Sequence, residues 1–337
     1  MLKVGVIGVG RMGINHARIY NEFKGVKLVA VADTDKENLN KAKEKYSCNI
    51  YEDYKEMLNK EDLDAVSIAV PTKEHYKVAL DCINKCINLL IEKPIASNVQ
   101  EGEEIIEKAK EKRVKLMIGH VERFNPAVIE LKKRIENDEL GRIYRIMAQR
   151  ESPFPLRISD VGVVIDLAVH DIDIMNYISG ANFKRVYAET GRRLHSNNED
   201  LLLALFRFDD DVIGVISTNW LTPDLIRNLV ITGEKGMFKV DYLNQELYFY
   251  HNAALPKEID YNRIVKGVEA GDVLKIKINK DEPLKLELKS FVDSILEDKE
   301  IVTRGEDGLK ALEIAQKIIE SANKNEIVEL KWMAKMF

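Results

Sequence analysis

The sequence predicts an α/β domain with a doubly wound parallel sheet over residues 1–120 and an α+β domain over residues 121–337. Three observations carry this. Up to Ile118, short apolar runs alternate with helical patterns, the order that a parallel sheet with crossover helices requires. Beyond it, extended segments are joined by tight turns such as Asp209-Asp210-Asp211 and Gly233-Glu234-Lys235-Gly236, which pair strands antiparallel. The length, 337 residues, suffices for two cores.

Bulk properties exclude some classes. A net charge of -5, with both signs interspersed, argues against a nucleic-acid partner and gives no general pull on anions, so any phosphate site must be local. No apolar run approaches the roughly 18 residues of a membrane span. Met1 leads straight into a strand, not into a charged-then-apolar leader. The three cysteines, Cys48, Cys82 and Cys86, are odd in number and lack zinc spacing, as expected in a reducing cytoplasm. The expectation is a cytoplasmic protein without a metal or a membrane partner.

The first element is a strand over residues 4–7, followed at once by Gly8-Val9-Gly10-Arg11-Met12-Gly13 and a helix over about 11–23. Asp33 ends the next apolar run. In a dinucleotide-binding βαβ unit Gly8 permits a tight turn, Gly10 lets backbone approach a pyrophosphate, and Gly13 lets helix and strand pack closely. The helix N-terminus offers unpaired N–H groups to phosphate, and Arg11 and Met12 join the cofactor set. Asp33 would accept from both hydroxyls of the adenosine ribose and repel a 2′-phosphate, which favours NAD over NADP. Arg11 and Thr34 weaken that preference slightly. His16, on the helix, reads as a packing or capping residue.

A charged helix over 35–46, a short strand over 49–51 and a helix capped by Asp53 come next. The buried strand 65–70 ends in Pro71-Thr72, before a helix that His75 opens. Ligands bind at the carboxyl ends of parallel strands, so Val70, Pro71, Thr72 and His75 are candidates to line the cofactor, His75 in a structural rather than catalytic role. The strand 88–91 ends in Glu92-Lys93-Pro94, and Glu92 and Lys93 join the cofactor set. A helix over 99–112 and a strand over 115–118 complete the domain.

In the second domain Arg123-Phe124-Asn125-Pro126 starts a helix to about 137, and 142–150 reads as a strand. A helix over 163–179 is stopped by Gly180. Extended segments follow at 183–194, 201–208, 212–219, 228–232, 237–242 and 246–250, then helices at 284–296 and 305–322 and a short run at 327–330. Tyr242, Leu247, Tyr248 and Phe249 are more apolar than an exposed sheet face tolerates. Another subunit is expected to cover them; a helix of the same chain is the alternative.

Two features beyond the glycine turn bear on chemistry. Pro94 biases Lys93 toward an extended conformation at a strand end, where position alone leaves a surface lysine and a catalytic one equally open. Asp166 and His170 lie four apart on an apolar helix, which places them on one face with Cβ atoms roughly 5–6 Å apart. Asp173 and Tyr177 continue the stripe. This is either the polar edge of a packed helix or, beside a nucleotide domain, a carboxylate-held base for alcohol oxidation.

Gly8–Gly13, Asp33, Glu92-Lys93-Pro94, Arg123-Phe124-Asn125-Pro126 and Asp166-x-x-x-His170 together resemble the Gfo/Idh/MocA oxidoreductase family over nearly the whole chain. The resemblance implies a Rossmann cofactor domain and an open, mainly antiparallel sheet domain that builds homodimers or homotetramers. It also implies that Lys93, Asp166 and His170 converge on a substrate hydroxyl, with a Lys93–Pro94 bond that can be cis. Residues 119–126, 160–175 and 219–223 with Arg227 resemble the sugar-nucleotide branch. That implies oxidation of UDP-N-acetylglucosamine at C3, with Arg123, Asn125, Arg150 and Arg227 joining Lys93, Asp166 and His170 at the substrate. Arg157, Arg192 and Arg193 are further diphosphate candidates. His120 and Glu122 read as structural. An inositol or a free sugar is the alternative substrate, and a non-catalytic NAD or sugar sensor is the alternative of another class.

Overall fold

A computed structural model of the chain describes residues 1–155, 161–194, 197–253 and 271–330. The chain forms two compact units, Met1–Phe124 with Glu282–Glu313, and Asn125–Asp281 with the chain from Ile314 onward.

The first unit holds a six-stranded parallel sheet in the order β3-β2-β1-β4-β5-β6. Its strands are β1 (Leu2–Ile7), β2 (Val26–Ala32), β3 (Asn49–Tyr51), β4 (Ala65–Ile68), β5 (Asn88–Glu92) and β6 (Leu116–Gly119). The helices between them are α1 (Gly13–Glu22), α2 (Lys36–Lys45), α3 (Tyr54–Lys60), α4 (Thr72–Asn84) and α5 (Val99–Lys112). The strand order reverses at β1, whose neighbours are β2 and β4, and the glycine turn leaves β1 at that switch point. Asp35 and Asp53 cap α2 and α3 by accepting from Glu37 N and Lys55 N.

Boundaries differ from expectation where the chain leaves a ladder. Helix α1 begins at Gly13, because Arg11 and Met12 belong to the turn that Ile14 N closes on Gly10 O at 3.1 Å. Strand β4 stops at Ile68, two residues short of Val70.

The two compact units are more interleaved in sequence than a single division at residue 120. Helix α8 (Pro283–Leu296) packs in the first unit, with Leu284, Leu288, Phe291 and Val292 in one cluster with Leu2, Val4, Ile19 and Tyr20. The stripe at spacings of four, three and one marks a buried helix face, but period alone does not say which sheet it covers. The chain then closes on β6, where Ile118 N donates to Thr303 O at 2.9 Å and Thr303 Oγ1 donates to Ile118 O at 2.6 Å.

The second unit begins with α6 (Pro126–Glu136), β7 (Ile143–Glu151), a π-turn (Val164–Ala168) and α7 (Val169–Ser179), which ends at Gly180 with φ 66°. Strands β8 (Phe183–Gly191), β9 (Leu201–Phe208), β10 (Ile213–Asn219), β11 (Ile226–Gly233), β12 (Gly236–Asp241), β13 (Glu246–His251) and β14 (Val273–Ile276) follow. Helix α9 (Gly305–Lys324) leads to β15 (Val328–Glu329). Among the described residues the sheet has nine strands in the order β14-β13-β12-β11-β7-β10-β9-β8-β15. Among these described strands only the β7–β10 pairing is parallel.

One sheet face is core, built from Ile146, Ala148, Ile216, Leu229, Ile231, Phe238, Leu247 and Phe249. This corrects the expectation for 242–249. Tyr242, Leu247 and Phe249 are buried, and α6 of the same chain packs on β12 and β13. Tyr248 alternates to the opposite face, as the two-residue period of a strand requires.

Candidate active site

The glycine turn is fixed by sterics that no other residue satisfies. Gly8 has φ +84°, and a Cβ there would lie 2.6 Å from Ala69 O. A Cβ on Gly13 would lie 1.8 Å from Gly8 O, so only glycine lets α1 begin against the turn. Gly10 is different: its Cβ position has nothing within 4 Å, which leaves its backbone open to a ligand. Met12 precedes α1 without any side-chain cap, so the Met12 side chain does not fill the N-terminus of that helix, whose dipole favours an anion.

Asp33 follows β2 and reaches back to this turn. Its Oδ2 accepts from Val9 N at 2.7 Å and its Oδ1 from Asp35 N at 2.9 Å. Each carboxylate oxygen retains a further lone pair for a hydroxyl.

Val70, Pro71 and Thr72 connect β4 to α4, with Pro71 in the N-cap position. His75, counted with the cofactor-lining residues, is buried instead. Its Nδ1 is 2.8 Å from Pro94 O and its Nε2 is 2.9 Å from Val70 O, so both ring nitrogens are occupied by main chain. Glu92 likewise turns inward, with Oε1 3.0 Å from Nε2 of the buried His16. Its carboxyl group also packs on Gly119, where a Cβ would lie 3.1 Å away. Nothing local in the sequence pairs His16 with Glu92, 76 residues apart. Lys93 is half-buried, and the Lys93–Pro94 peptide is cis.

In the second unit, the expected continuous helix over 163–179 opens as a π-turn. Asp166 N donates to Gly162 O at 3.0 Å, and Val163 N and Val164 N bond to Glu199. Asp166 and His170 remain half-buried, while Val164, Ala168 and Val169 pack inward. Wide turns of this kind are frequent at functional sites because they re-aim side chains without ending the helix. Asp173, expected in the same stripe, is buried.

Three residues expected at the substrate have structural duties. Arg150 is buried in a two-point ion pair with Asp171, Nε to Oδ2 and Nη2 to Oδ1 both at 3.0 Å, under the Tyr242 ring at 5.3 Å. Arg123 is buried with Nη2 3.2 Å from Asp307 Oδ1 and Nη1 donating to Val302 O at 3.3 Å. Asn125 caps α6 by accepting from Ala127 N at 3.1 Å and donates to Tyr242 O at 3.1 Å. Arg227 is half-buried on β11, opposite Arg150. Arg192 and Arg193 are exposed, and Arg157 lies outside the described residues. His120 and Glu122 are buried.

Residues 2–120 match the oxidoreductase family with an NAD-binding Rossmann fold, and residues 128–239 match the Gfo/Idh/MocA C-terminal domain. The chain belongs to the Gfo/Idh/MocA oxidoreductase family. It is 26% identical to the UDP-N-acetylglucosamine 3-dehydrogenase of Acidithiobacillus ferrooxidans, over 94% of this chain and 96% of that one. A structure of that enzyme superposes with TM-score 0.85 at 25% identity, covering 96% and 98% of the two chains. The myo-inositol 2-dehydrogenase of Thermotoga maritima is also 26% identical, over 98% and 99%. The WlbA dehydrogenase of Bordetella pertussis, solved with NADH and UDP-GlcNAcA, shares the fold at TM-score 0.82 and 23% identity, covering 98% and 99%.

This member of the family is an NAD-dependent oxidoreductase acting on CH–OH groups. The residues fit the cofactor: Gly10 leaves the space, the start of α1 carries no side-chain cap, and Asp33 supplies acceptors at the end of β2.

Proposed function

We propose that the protein oxidises a secondary hydroxyl of a sugar nucleotide, UDP-N-acetylglucosamine at C3, to the keto sugar. The observation that carries this choice is the likeness to the UDP-N-acetylglucosamine 3-dehydrogenase along 94% of the chain. The equally extended likeness to a myo-inositol 2-dehydrogenase supports inositol as the second reading.

NAD⁺, when bound, supplies the hydride acceptor. We assign the proton to His170, since imidazole has an ordinary pKa nearest to neutral pH among the side chains. Asp166 orients that ring and stabilises its protonated form. Lys93 donates to the substrate oxygen and stabilises the negative charge that develops on it. With Arg123 and Arg150 engaged in ion pairs, Arg227, Arg192 and Arg193 are the described arginines we assign to a diphosphate.

The test follows NADH absorbance with UDP-sugars, free sugars and inositols offered singly. The expected outcome is a kcat/KM highest for UDP-N-acetylglucosamine, with the product oxidised at C3. A higher kcat/KM for an inositol or a free sugar would transfer the assignment to that substrate.

A further inference from the structure

His75 does more in this geometry than fill space. It stands in the first turns of α4 with 1% of its surface exposed, and each ring nitrogen faces a main-chain carbonyl. The two carbonyls belong to the segments that follow neighbouring strands, Val70 after β4 and Pro94 after β5. The Val70 segment is the floor of the glycine turn, since a Cβ on Gly8 would lie 2.6 Å from Ala69 O and 2.8 Å from Val70 N. Pro94 is the residue next to Lys93.

A neutral imidazole carries one N–H, so it donates to one carbonyl at a time. The contact to Pro94 O, at 2.8 Å, is the shorter of the two and links α4 to the segment bearing Lys93. Burial pushes the His75 pKa down, while the facing carbonyls and Glu92 push it up and Lys93 opposes them. A histidine kept only for its volume could be leucine. Burying a ring nitrogen against a carbonyl is worthwhile where the carbonyl must be held in place.

We propose that His75 is a positioning residue that donates from Nδ1 to the Pro94 carbonyl and thereby fixes where Lys93 stands at the end of β5. For turnover this rests on the reading of Lys93 given above; the placement of Lys93 itself does not depend on it.

Two amides separate this from a packing role, because an asparagine amide nitrogen takes roughly the place of Nδ1 and a glutamine amide nitrogen that of Nε2. His75→Asn, His75→Gln and His75→Leu are compared by three readouts. One is the rate at which Lys93 is reductively methylated in the NAD-free protein, read by mass spectrometry. The others are NAD⁺ affinity by calorimetry and, with an oxidised substrate in hand, kcat. Losing one hydrogen bond corresponds to about a tenfold change, so kcat and the Lys93 methylation rate should shift by about that factor in the Gln and Leu variants. The Asn variant should stay near wild type in both. NAD⁺ affinity should change far less than either. If Asn is as impaired as Leu, or if Lys93 reacts at one rate in every variant, His75 is a packing residue and the proposal is overturned. Should the Leu variant fail to fold, the Asn and Gln pair still decides it. An unchanged kcat in every variant, beside variant-specific Lys93 reactivity, would count against the role of Lys93 in catalysis and leave the positioning intact.

Discussion

Asp33 braces the glycine turn, and we assign it the ribose as well. Its carboxylate holds Val9 N at 2.7 Å, inside the glycine turn, and has lone pairs left for ribose hydroxyls. Hydrogen bonds to a charged group are worth about 1.5–3 kcal/mol, so Asp33→Ala should weaken NAD⁺ by about 10–100-fold and narrow its advantage over NADP⁺. Titration of both cofactors into wild type and variant checks this; equal wild-type affinities would contradict it. Arg150 makes the opposite point. Removing it strands a buried Asp171, which costs about 3–5 kcal/mol, so Arg150→Ala should lower stability in chemical denaturation by that much. A loss under about 1 kcal/mol would contradict the ion pair. The acid side of the stability profile belongs to His75. Its folded pKa is lowered from 6.5, chiefly by burial, so the unfolded chain binds the proton more readily. The protein should therefore lose stability as pH falls below about 6.5, and His75→Leu should lose less over the same interval, as melting temperatures at a series of pH values will show. Gly8 to Gly13 and Asp33 stand out in the sequence by local spacing. The ion pair of Arg150 and the carbonyl bond of Arg123 do not, because their partners Asp171 and Val302 lie 21 and 179 residues away.

At the scale of elements, the π-turn at Val164–Ala168 is what the sequence hid. A run such as 163–169, apolar but for Asp166, is compatible with either a regular or a widened turn, and Glu199 holds Val163 and Val164 at the widened one. Deleting Leu167 should restore a regular helix and turn Asp166 away from its present relation to His170. Turnover should then fall by about 10²–10⁴, the usual worth of a general base, while NAD⁺ affinity holds. Wild-type turnover in that deletion would show that the widened turn has no part in catalysis. Helix α8 was visible as a helix from its apolar stripe, yet its unit was not, since adjacency in sequence pointed to the second domain and packing placed it with Leu2 and Tyr20.

For the whole molecule, the two sheets and the NAD chemistry were readable because glycine spacing and the change from alternating to extended segments leave marks in sequence, and the family through the resemblance of its motifs. The sheet surface was misread in detail. The row Tyr187, Leu205, Val215, Met147 and Val230 runs register by register across β8, β9, β10, β7 and β11, on the face opposite the core. Leu205 is 51% exposed there, and so is Leu203. We propose that a second copy of the chain covers this face, where Leu203 and Leu205 stand exposed on β9. Light scattering at micromolar concentration should give a dimer or tetramer, and Leu205→Lys should dissociate it; a wild-type monomer would contradict the proposal. The claim on which the account turns is that NAD⁺ takes hydride from UDP-N-acetylglucosamine with His170 as the base. Single-turnover NADH formation on mixing NAD⁺-loaded protein with UDP-N-acetylglucosamine tests it most directly. Wild type should form NADH with a C3-oxidised product, and His170→Ala should be slower by about 10²–10⁴ at unchanged NAD⁺ affinity. No NADH from the wild type with this substrate, or an undiminished rate in His170→Ala, would contradict it.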